Sequence, residues 1–483
     1  MNKVTTCYGS AFTDYPIRNS ILSQQPFSSL SLHSDLLSNL ESLDYNEMTD
    51  IQAQSLPVIL DGQDIIAQGK TGSGKTAAFG LGLLNKLDVK RFRIQTLILC
   101  PTRELADQVG KEIRRLARGI HNIKVLTLCG GMPFGPQIGS LEHGAHIIVG
   151  TPGRIEDHLS KGTLNLDNVD TLVLDEADRM LDMGFQDAID NIIDQAPKER
   201  QTLLFSATFP EQIEKIAQRI LTNPVTVKVE SRHDNDAISQ YFYKVSNHDD
   251  RMLALRLLLL QYQPESAVVF CNTKREVQEV NDELVNRGFS SIALHGDLEQ
   301  KDRDQALIRF SNKSASILVA TDVAARGLDI DNLSAVFNFH IAHDQEVHVH
   351  RIGRTGRAGK KGLAFSFYSN KDASRIIALE DYLQRNISED ALPSDSVLDN
   401  TPTQSSMLTI RIEGGKKQKI RPGDIVGALT GDNALTFEQI GKIQVSANWS
   451  YIAVQRECIK VAFKKLSEGK LKGRKFRVMV VRG

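Results

Sequence analysis

The chain has 483 residues, which is too many for one ordinary hydrophobic core, so two or three domains are expected. Hydrophobic residues at 41% and charged residues at 24% are typical of folded globular proteins and exclude a disordered chain. The net charge is only −1, yet residues 405–483 carry 16 basic and 6 acidic residues. This basic end predicts a module that binds a polyanion, with a solvated charged surface as the alternative.

The cysteines and the first residues indicate where the protein works. Five cysteines are scattered without CxxC spacing, which is typical of reduced thiols rather than of a disulfide framework. No apolar stretch reaches the roughly 18 residues of a membrane span, and the start MNKVTTCYGS lacks the apolar segment of a signal peptide. We therefore expect a cytoplasmic protein that contacts no membrane.

Residues 1–25 are expected to form a polar N-terminal tail, and residues 26–230 a first α/β domain. Short apolar runs in this region are separated by segments long enough for a helix. Such runs are typical of strands covered on both faces, and their alternation with helices predicts a doubly wound parallel sheet. The runs lie at 96–100, 124–129, 146–150, 171–174 and 202–208.

A second α/β domain is expected over residues 231–387, with the polar segment 231–240 as the joint between the two. It repeats the alternation of apolar runs and helical segments, so the chain holds two α/β lobes in tandem. The runs of this second series lie at 267–273, 291–296, 316–322, 335–340 and 363–368.

A linker rich in Ser, Asp and Pro, residues 388–404, precedes the basic module 405–483. In this module we predict a helix that begins at Pro422 and a later one around ECIKVAFKKL, with an apolar face of Ile459, Ala462, Phe463 and Leu466. Strands LTIRIEGG, IGKIQV, SYIAVQ and FRVMVV complete the order β-α-β-β-α-β. That order is the split βαβ pattern of RNA-recognition modules, which predicts a small α+β RRM-like domain.

Residues 69–76, GKTGSGKT, match the phosphate-binding pattern G-x-x-x-x-G-K-[ST] between an apolar run and a plausible helix. The glycines let backbone N–H groups curl around phosphates, and Lys75 reaches the β- and γ-phosphate oxygens. The Thr76 hydroxyl can bind Mg²⁺. The remaining predicted members of this nucleotide cradle are Thr71, Gly72, Ser73 and Gly74.

The stretch TLVLDEADRM, residues 171–180, is an apolar run that ends in acids. In P-loop proteins an acid at the end of a neighbouring strand holds Mg²⁺, which assigns Asp175 to the metal, through water. Glu176 would then orient the attacking water or accept its proton. Asp178 is expected to tie lobes or motifs together rather than to touch metal. The alternative is that these acids only cap the following helix.

Residues 350–357, HRIGRTGR, offer Arg351, Arg354 and Arg357 from the second lobe. An arginine that stabilises the transition state adds about 10³ to 10⁵ in rate, so closure of the lobes would switch hydrolysis on. An exposed basic helix start is the alternative. Zinc binding by the four histidines of FHIAHDQEVHVH is disfavoured, because no Cys or paired carboxylate completes a site.

Together these motifs resemble those of the DEAD-box family of ATP-dependent RNA helicases, from about Phe27 to Tyr382. The fold class implied is α/β, with two tandem RecA-like doubly wound parallel-sheet domains followed here by the small α+β RRM-like domain. The motifs that carry the resemblance, in family order, are PTREL at 101–105, Gly130 with Gly131, TPGR at 151–154, DEAD at 175–178, SAT at 206–208, ATDVAARGLD at 320–329 and HRIGRTGR.

The resemblance implies that ATP and Mg²⁺ are the cofactors. Phe27 would stack on adenine, and Thr49 with Gln52 would read it, which agrees with the bidentate pairing of a Gln amide to adenine. Two residues depart from the family pattern, Asp44 for Gly and Asp50 for Pro, which puts the local turn in doubt. In the second lobe the resemblance assigns the ribose to Asp329 and the γ-phosphate to Arg354 and Arg357.

RNA contacts follow from the same resemblance. Hydroxyls, arginines and backbone N–H groups suit recognition of the sugar-phosphate chain without reading of bases, so the core is expected to tolerate any sequence. The first lobe would contribute Thr102, Arg103, Gly131, Thr151 and Arg154, and the second Thr273, His295, Gln300, Arg303 and Thr321.

Within the family, the C-terminal stretch GGKKQKIRPGDIVGALTGD is similar to the DbpA group. The resemblance implies a tail that recognises a hairpin of 23S ribosomal RNA and brings the helicase to large-subunit precursor particles during assembly. The stacking aromatics of an RRM would fall at Arg474 and Met479, so basic and polar groups are expected to bind the RNA instead. The candidates are Lys416, Lys417, Lys419, Arg421, Lys470, Lys472, Arg474 and Lys475.

The predicted function is therefore an ATP-dependent RNA helicase that locally unwinds short duplexes and whose ATPase is stimulated by RNA. Two alternatives use the same core residues. One is an ATP-gated RNA clamp in which unwinding is incidental, and the other is a DNA translocase, which the family motifs disfavour. The residue patterns leave the oligomeric state and the role of residues 1–25 open.

Overall fold

The structure is a computed structural model that describes residues 25–69, 72–229, 238–325, 333–356 and 361–481. The chain divides after residue 232 into two compact units, of which the second also holds the C-terminal domain. Within the described ranges, every helix falls short of the length and apolar character that crossing a membrane requires.

The first lobe is a seven-stranded parallel sheet in the order β3-β4-β2-β5-β6-β1-β7, with helices on both faces. Its elements are α1 (Ser34–Ser42), α2 (Asp50–Leu60), β1 (Ile65–Gln68), α3 (Lys75–Lys86), β2 (Thr96–Leu99), α4 (Arg103–Leu116), β3 (Val125–Leu128), α5 (Phe134–Glu142), β4 (Ile147–Gly150), α6 (Pro152–Ser160), β5 (Thr171–Asp175), α7 (Ala177–Asp182), α8 (Gln186–Asp194), β6 (Gln201–Ser206), α9 (Glu211–Ile220) and β7 (Val225–Lys228).

Both faces of this sheet are buried, which explains the unbroken apolar runs of the sequence. In β5, Val173 packs into the core on one face, whereas Leu172 and Leu174 pack into the core on the other. Parallel strands end at the same edge of a sheet, so the polar residues that follow the strands are collected there. The phosphate loop follows β1, and the acids Asp175 and Glu176 close β5.

The second lobe repeats this architecture with six parallel strands in the order β10-β11-β9-β12-β13-β8. Two RecA-like parallel-sheet lobes therefore confirm the predicted fold class. The elements are β8 (Ile238–Lys244), α10 (His248–Tyr262), β9 (Ala267–Cys271), α11 (Lys274–Asn286), β10 (Ser291–Leu294), α12 (Gln300–Ser311), β11 (Ile317–Thr321), α13 (Asp322–Ala325), β12 (Ala335–Asn338), α14 (Gln345–Ile352), β13 (Gly362–Tyr368) and α15 (Ala373–Leu383).

The sequence predicts that segment 231–240 is the joint between the lobes, and residues 231–237 of it lie outside the described residues. For residues 238–240 the prediction of a joint is wrong. Ile238 already begins β8, which pairs in parallel with β13 at the edge of the sheet. Ser239 is exposed and Gln240 is half-buried, because an edge strand keeps one side in water. The polar start of β8 therefore hides it from a search for apolar runs.

The C-terminal domain has the predicted order β-α-β-β-α-β and forms an antiparallel sheet, β15-β16-β14-β17. Its helices pack on one face of the sheet. The elements are β14 (Met407–Ile412), α16 (Pro422–Thr430), β15 (Ile440–Val445), β16 (Ser450–Gln455), α17 (Ile459–Glu468) and β17 (Val478–Val481).

The predicted apolar face of α17 needs one correction. Ala462 and Leu466 are buried in the domain core and Ile459 packs against it, but Phe463 is 37% exposed. The three inward residues recur at intervals of three and four, which is one face of a helix. Phe463 stands at the edge of that face, and its ring remains partly in water.

The other face of the C-terminal sheet packs on α12 of the second lobe. Ile308 of α12 forms an apolar cluster with Tyr451 and Val481, and Trp449 lies against it. RRM domains place their stacking aromatics on this face of the sheet. In this chain the face is engaged by protein and carries the aromatic Tyr451. Of the two predicted stacking positions, Met479 lies on β17, whereas Arg474 precedes that strand and pairs with Leu471 in a turn.

A buried polar cluster completes this contact. The Thr409 hydroxyl on β14 accepts from Asn312 Nδ2 at 3.2 Å and lies 2.6 Å from Ser314 Oγ. Part of the linker 388–404 also packs on the second lobe, because Val397 and Leu398 lie against the hydrophobic core of that lobe. The C-terminal domain is thus fixed to the second lobe by both apolar and polar contacts.

We expect Thr409→Val to destabilise this contact by about 1–3 kcal/mol, because it leaves buried groups of Asn312 and Ser314 without a partner. Urea unfolding monitored by Trp449 fluorescence measures the change, since Trp449 lies at the contact. Thr403→Val is the matched control, because Thr403 is exposed and bonds only to Gln263. Equal midpoints for the two variants would contradict the expected role of Thr409.

Candidate nucleotide and RNA sites

The phosphate loop between β1 and α3 is shaped for an anion. Gly74 has a φ of +95°, and a Cβ atom there would lie 2.5 Å from Gln52 Nε2. Ser73 Oγ is buried and has no hydrogen-bond partner within the described ranges. Lys75, also buried, donates from Nζ to the carbonyl oxygen of Gly69 at 2.5 Å. A phosphate would give both side chains an acceptor, whereas the predicted contact Thr71 lies outside the described residues.

The predicted adenine-reading residues are joined to this loop. Thr49 caps α2 and donates from Oγ1 to the carbonyl oxygen of Ser73 at 2.8 Å. The Gln52 amide donates to the carbonyl oxygen of Gly74 at 3.1 Å. Phe27 is buried and its ring centroid lies 6.3 Å from that of Tyr45, so its role in stacking on adenine stays a prediction.

Both departures from the family pattern have a local explanation. Asp44 adopts a φ of +58°, a left-handed conformation that glycine enters without strain and that Asp tolerates better than most residues. Asp50 is the first residue of α2, where proline is favoured for its fixed φ but where a carboxylate also interacts well with the helix N-terminus. The turn is therefore kept with different residues.

Two adjacent acids face the phosphate loop from the end of β5. Burial raises the pKa of Asp175, and the negative charge of Glu176 raises it further against the opposing charges of Lys75 and Arg179. Buried carboxylates with too little positive charge nearby suit a divalent cation. Thr76 offers its hydroxyl from the first turn of α3. The residues therefore fit Mg²⁺, which keeps most of its water ligands when proteins hold it.

Asp178 connects two motifs of the first lobe, as the sequence predicts. Its carboxylate accepts from the backbone N–H and the hydroxyl of Thr208, each at 2.9 Å, and its own N–H donates to Ser206 Oγ at 3.3 Å. Burial alone would raise the pKa of Asp178, but the bonds from Thr208 outweigh it and the pKa is lowered. The DEAD and SAT motifs are thereby joined.

In the first lobe the predicted RNA contacts gather around Arg103. Its Nη1 donates to the carbonyl oxygen of Gly130 at 3.3 Å. Gly131 has a φ of +72°, and a Cβ atom there would lie 2.7 Å from Arg103 Nη1, so the arginine needs a glycine at this position. Arg154 donates to the carbonyl oxygen of Met132 at 2.9 Å, in the same loop. Among the described residues, Arg103 Nη2 is buried without a hydrogen-bond partner, whereas Arg154 Nε lies 3.5 Å from Asp157 Oδ2 in an ion pair. Thr102 and Thr151 precede α4 and α6, and Thr102 caps its helix.

In the second lobe the structure brings Arg303 and Thr321 together. Arg303 donates to the carbonyl oxygen of Ala324 at 2.9 Å, and Thr321 Oγ1 accepts from the N–H of the same residue at 3.3 Å. Thr273 caps α11, and Gln300 donates to Asp304 at 2.6 Å. The buried Nδ1 of His295 has no hydrogen-bond partner among the described residues of the chain.

The arginine motif is partly described. Arg351 is buried and forms a bidentate pair with Asp322, at 2.7 and 2.6 Å, so it connects α14 to α13. Arg354 is buried as well. The other predicted ATP contacts of this lobe, Asp329 and Arg357, lie outside the described residues.

The eight basic candidates of the C-terminal domain are all exposed. They fall in two stretches, 416–421 and 470–475, which the fold brings close to each other. Lys472 pairs with Asp424 of α16 at 3.4 Å, and both Phe476 and Ile420 pack around Gly414. The two stretches therefore form one basic surface, which we call the C-terminal basic patch.

Three family models match in chain order: DEAD/DEAH box helicase over residues 49–216, helicase conserved C-terminal domain over 250–359, and DbpA RNA binding domain over 409–480. The ATP-dependent RNA helicase DbpA of Escherichia coli (strain K12) is 54% identical over 446 residues, which is 92% of this chain and 97% of that protein. The chain belongs to the DEAD-box family of ATP-dependent RNA helicases.

Two further known proteins are similar to this chain. The DEAD-box ATP-dependent RNA helicase CshA of Bacillus subtilis (strain 168) is 45% identical over 359 residues, or 74% of this chain and 72% of that protein. The solved structure of S. cerevisiae Dbp5 bound to RNA and ADP BeF3 matches with a TM-score of 0.69 and 32% identity, covering 77% of this chain and 96% of that one. This helicase is therefore an ATP-dependent enzyme of the DbpA type with an RNA-binding C-terminal domain.

The motifs did not identify one residue of this helicase that lies beside the acids. Arg179 is buried and donates from Nη1 to Glu176 Oε2 at 2.7 Å. The available signal was the spacing of three residues between Glu176 and Arg179, which brings side chains together on a helix. That spacing also describes ordinary surface pairs, so burial distinguishes this one.

Proposed function

We propose that this helicase hydrolyses ATP at the phosphate loop of its first lobe. Lys75 would bind the β- and γ-phosphate oxygens, and Glu176 would orient the attacking water or accept its proton. Thr76 and Asp175, the latter through water, would hold Mg²⁺, which when bound neutralises phosphate charge. Arg354 and Arg357 would supply further positive charge to the transition state. The observation that carries the proposal is the buried Asp175 and Glu176 pair beside a phosphate loop in which the Ser73 hydroxyl has no partner among the residues that the structure describes.

We further propose that RNA binds along the residues collected at the carboxyl ends of the strands in each lobe. Two of the predicted contacts, Arg103 and His295, have buried polar atoms that find no hydrogen-bond partner in the described part of the chain. A buried unpaired donor is costly, so such atoms favour a ligand that supplies acceptors, as phosphate and ribose do. Hydrolysis coupled to RNA binding at these residues would locally unwind short duplexes.

The C-terminal basic patch is proposed to direct the enzyme to 23S ribosomal RNA in large-subunit precursor particles, in the cytoplasm. Its support is the charge of residues 405–483 and the likeness to the DbpA RNA-binding domain. The test compares ATPase stimulation by total ribosomal RNA, its fragments and homopolymer RNA. Stimulation by one large-subunit fragment at far lower concentration than by homopolymer is expected, whereas equal stimulation by all three would reject the targeting.

A strand-displacement assay separates a helicase that unwinds from an ATP-gated clamp. A short duplex is placed beside the fragment that stimulates the ATPase best, and release of the labelled strand is followed with ATP. Displacement that requires ATP supports the proposal. Retention of RNA that requires ATP, without displacement, would support the clamp.

Gly131→Ala is expected to raise the RNA concentration for half-maximal ATPase about ten-fold. A Cβ would strain the left-handed backbone by about 1–2 kcal/mol, and it would lie 2.7 Å from Arg103 Nη1. Titration of ATPase with homopolymer RNA measures this. Gly135→Ala is the control, because nothing lies within 4 Å of a Cβ there. A Gly131 variant with the parental RNA response would remove this loop from the RNA site.

A further inference from the structure

Glu176 has an unusual backbone conformation and a strong side-chain bond. Its φ of 54° and ψ of 52° are left-handed, which is rare for a residue with a long side chain. It precedes α7, and Arg179 lies in the first turn of that helix. The Arg179 guanidinium donates to Glu176 Oε2 at 2.7 Å, and only 6% and 5% of the two side chains are exposed.

The first turn of α7 is itself held in place. The N–H of Arg179 donates to Asp178 Oδ1 at 3.0 Å, and Asp178 is bound by Thr208 through its other oxygen. The base of the Arg179 side chain is therefore fixed relative to β6 and the SAT motif. A guanidinium that extends from a fixed point and bonds a carboxylate defines the direction of that carboxylate.

Stabilisation of α7 alone would not explain why the Glu176–Arg179 pair is buried. Glu112 and Arg115 on α4 have the same spacing, and their bond at 2.9 Å lies on the surface, with 24% and 43% of the side chains exposed. Exposed pairs of that kind stabilise a helix while both charged groups remain hydrated. Burying both charges removes their water and is favourable only with good geometry, so burial of Arg179 beside an acid of the nucleotide site indicates a task there.

We propose that Arg179 is a positioning residue for the Glu176 carboxylate and fixes the orientation in which that carboxylate aligns the attacking water. This inference rests on the proposed role of Glu176. A left-handed backbone leaves the Glu176 side chain several rotamers, and the bond to Arg179 selects one of them. Loss of the bond misdirects the acid without removing any contact to the phosphates, so it lowers the rate of hydrolysis and leaves the binding of ATP and RNA in place.

The test measures RNA-stimulated ATPase in Arg179→Met and Arg179→Lys. We expect kcat to fall at least ten-fold in the Met variant, with KM for ATP and the half-maximal RNA concentration within two-fold of the parent. The Lys variant recovers part of the loss, since its ammonium donates but lacks the fork geometry. Arg287→Met is the control and keeps the parental kcat, because Arg287 forms an exposed ion pair with Glu283 on α11.

A double variant makes the test specific. In a Glu176→Gln background, Arg179→Met is expected to lower kcat less than two-fold further, because a residue that acts through Glu176 has nothing left to position. Parental kcat in the Met variant, or a full additional loss in the double variant, overturns the inference. If the Met variant melts before the assay temperature, Arg179→Gln replaces it with the same criteria.

The two ideas fail in different ways. Glu176→Gln with a parental rate removes the proposed role of Glu176, whatever the Arg179 variants do. An inactive Glu176→Gln together with a fully active Arg179→Met removes only the positioning role.

Discussion

Glu176→Gln is expected to bind ATP and RNA like the parent and to lose RNA-stimulated turnover by at least 100-fold. The amide has nearly the size of the carboxylate and can still accept from Arg179, so the local packing is kept. It cannot accept a proton at neutral pH, and a positioned acid or base contributes typically 10² to 10⁴ in rate. Phosphate release at saturating RNA measures turnover, and fluorescence anisotropy with labelled ATP analogue and labelled RNA measures binding.

Glu211→Gln provides the matched control for this prediction. Glu211 begins α9 in the same lobe and is exposed, with a surface ion pair to Lys215 at 2.7 Å. The same chemical change there is expected to alter turnover less than two-fold. Rapid hydrolysis by the Glu176 variant would show that Glu176 only caps α7. Weakened ATP binding would instead indicate that Glu176 holds the nucleotide directly.

The fold was predictable because its strands are buried on both faces. In β2 and β5 every residue is apolar or a buried Thr, apart from the terminal Asp175. Successive residues of these strands enter the hydrophobic cores on opposite faces of the sheet, so no position has to be polar. Sequence patterns reveal such strands by composition alone. The edge strand β8 begins with Ile238, an exposed Ser239 and a half-buried Gln240, so its start forms no apolar run and the sequence predicts a joint there.

The contact between the C-terminal domain and the second lobe could not be predicted. Tyr451 and Val481 lie on the sheet face that an RRM offers to RNA, and Thr409 is a polar residue on a strand. Nothing in their spacing distinguishes a face that binds RNA from one that packs on Ile308. Tertiary burial, which depends on residues far apart in the chain, decides it.

The motifs predict which residues form the ATP site, but not the hydrogen bonds between them. Lys75, Thr76 and Asp175 follow from their spacing, whereas the Thr49 and Gln52 bonds to loop carbonyls were not anticipated because backbone acceptors leave no mark in a sequence. Arg179 was overlooked for a different reason. Its spacing from Glu176 is common on exposed helices, and only burial shows that the pair lies inside the site.

The second large effect is expected from removal of charge in the C-terminal basic patch. Lys470→Ser with Lys475→Ser is expected to raise the concentration of ribosomal RNA fragment for half-maximal ATPase at least ten-fold, with homopolymer stimulation unchanged. Each lost phosphate contact also lowers the salt dependence, so the slope of log affinity against log salt falls by about 1.5 for two contacts. Titrations at several salt concentrations measure both quantities.

Lys460→Ser with Lys464→Ser is the matched control, because both lysines are exposed on α17 outside the basic patch. Deletion of residues 405–483 would be a poorer test. It would uncover Ile308 on α12 and leave Ser314 without its Thr409 partner, so a lost RNA preference could reflect damage to the second lobe. The point variants keep that contact, and equal losses in the two pairs would show that total charge, rather than the patch, attracts the RNA.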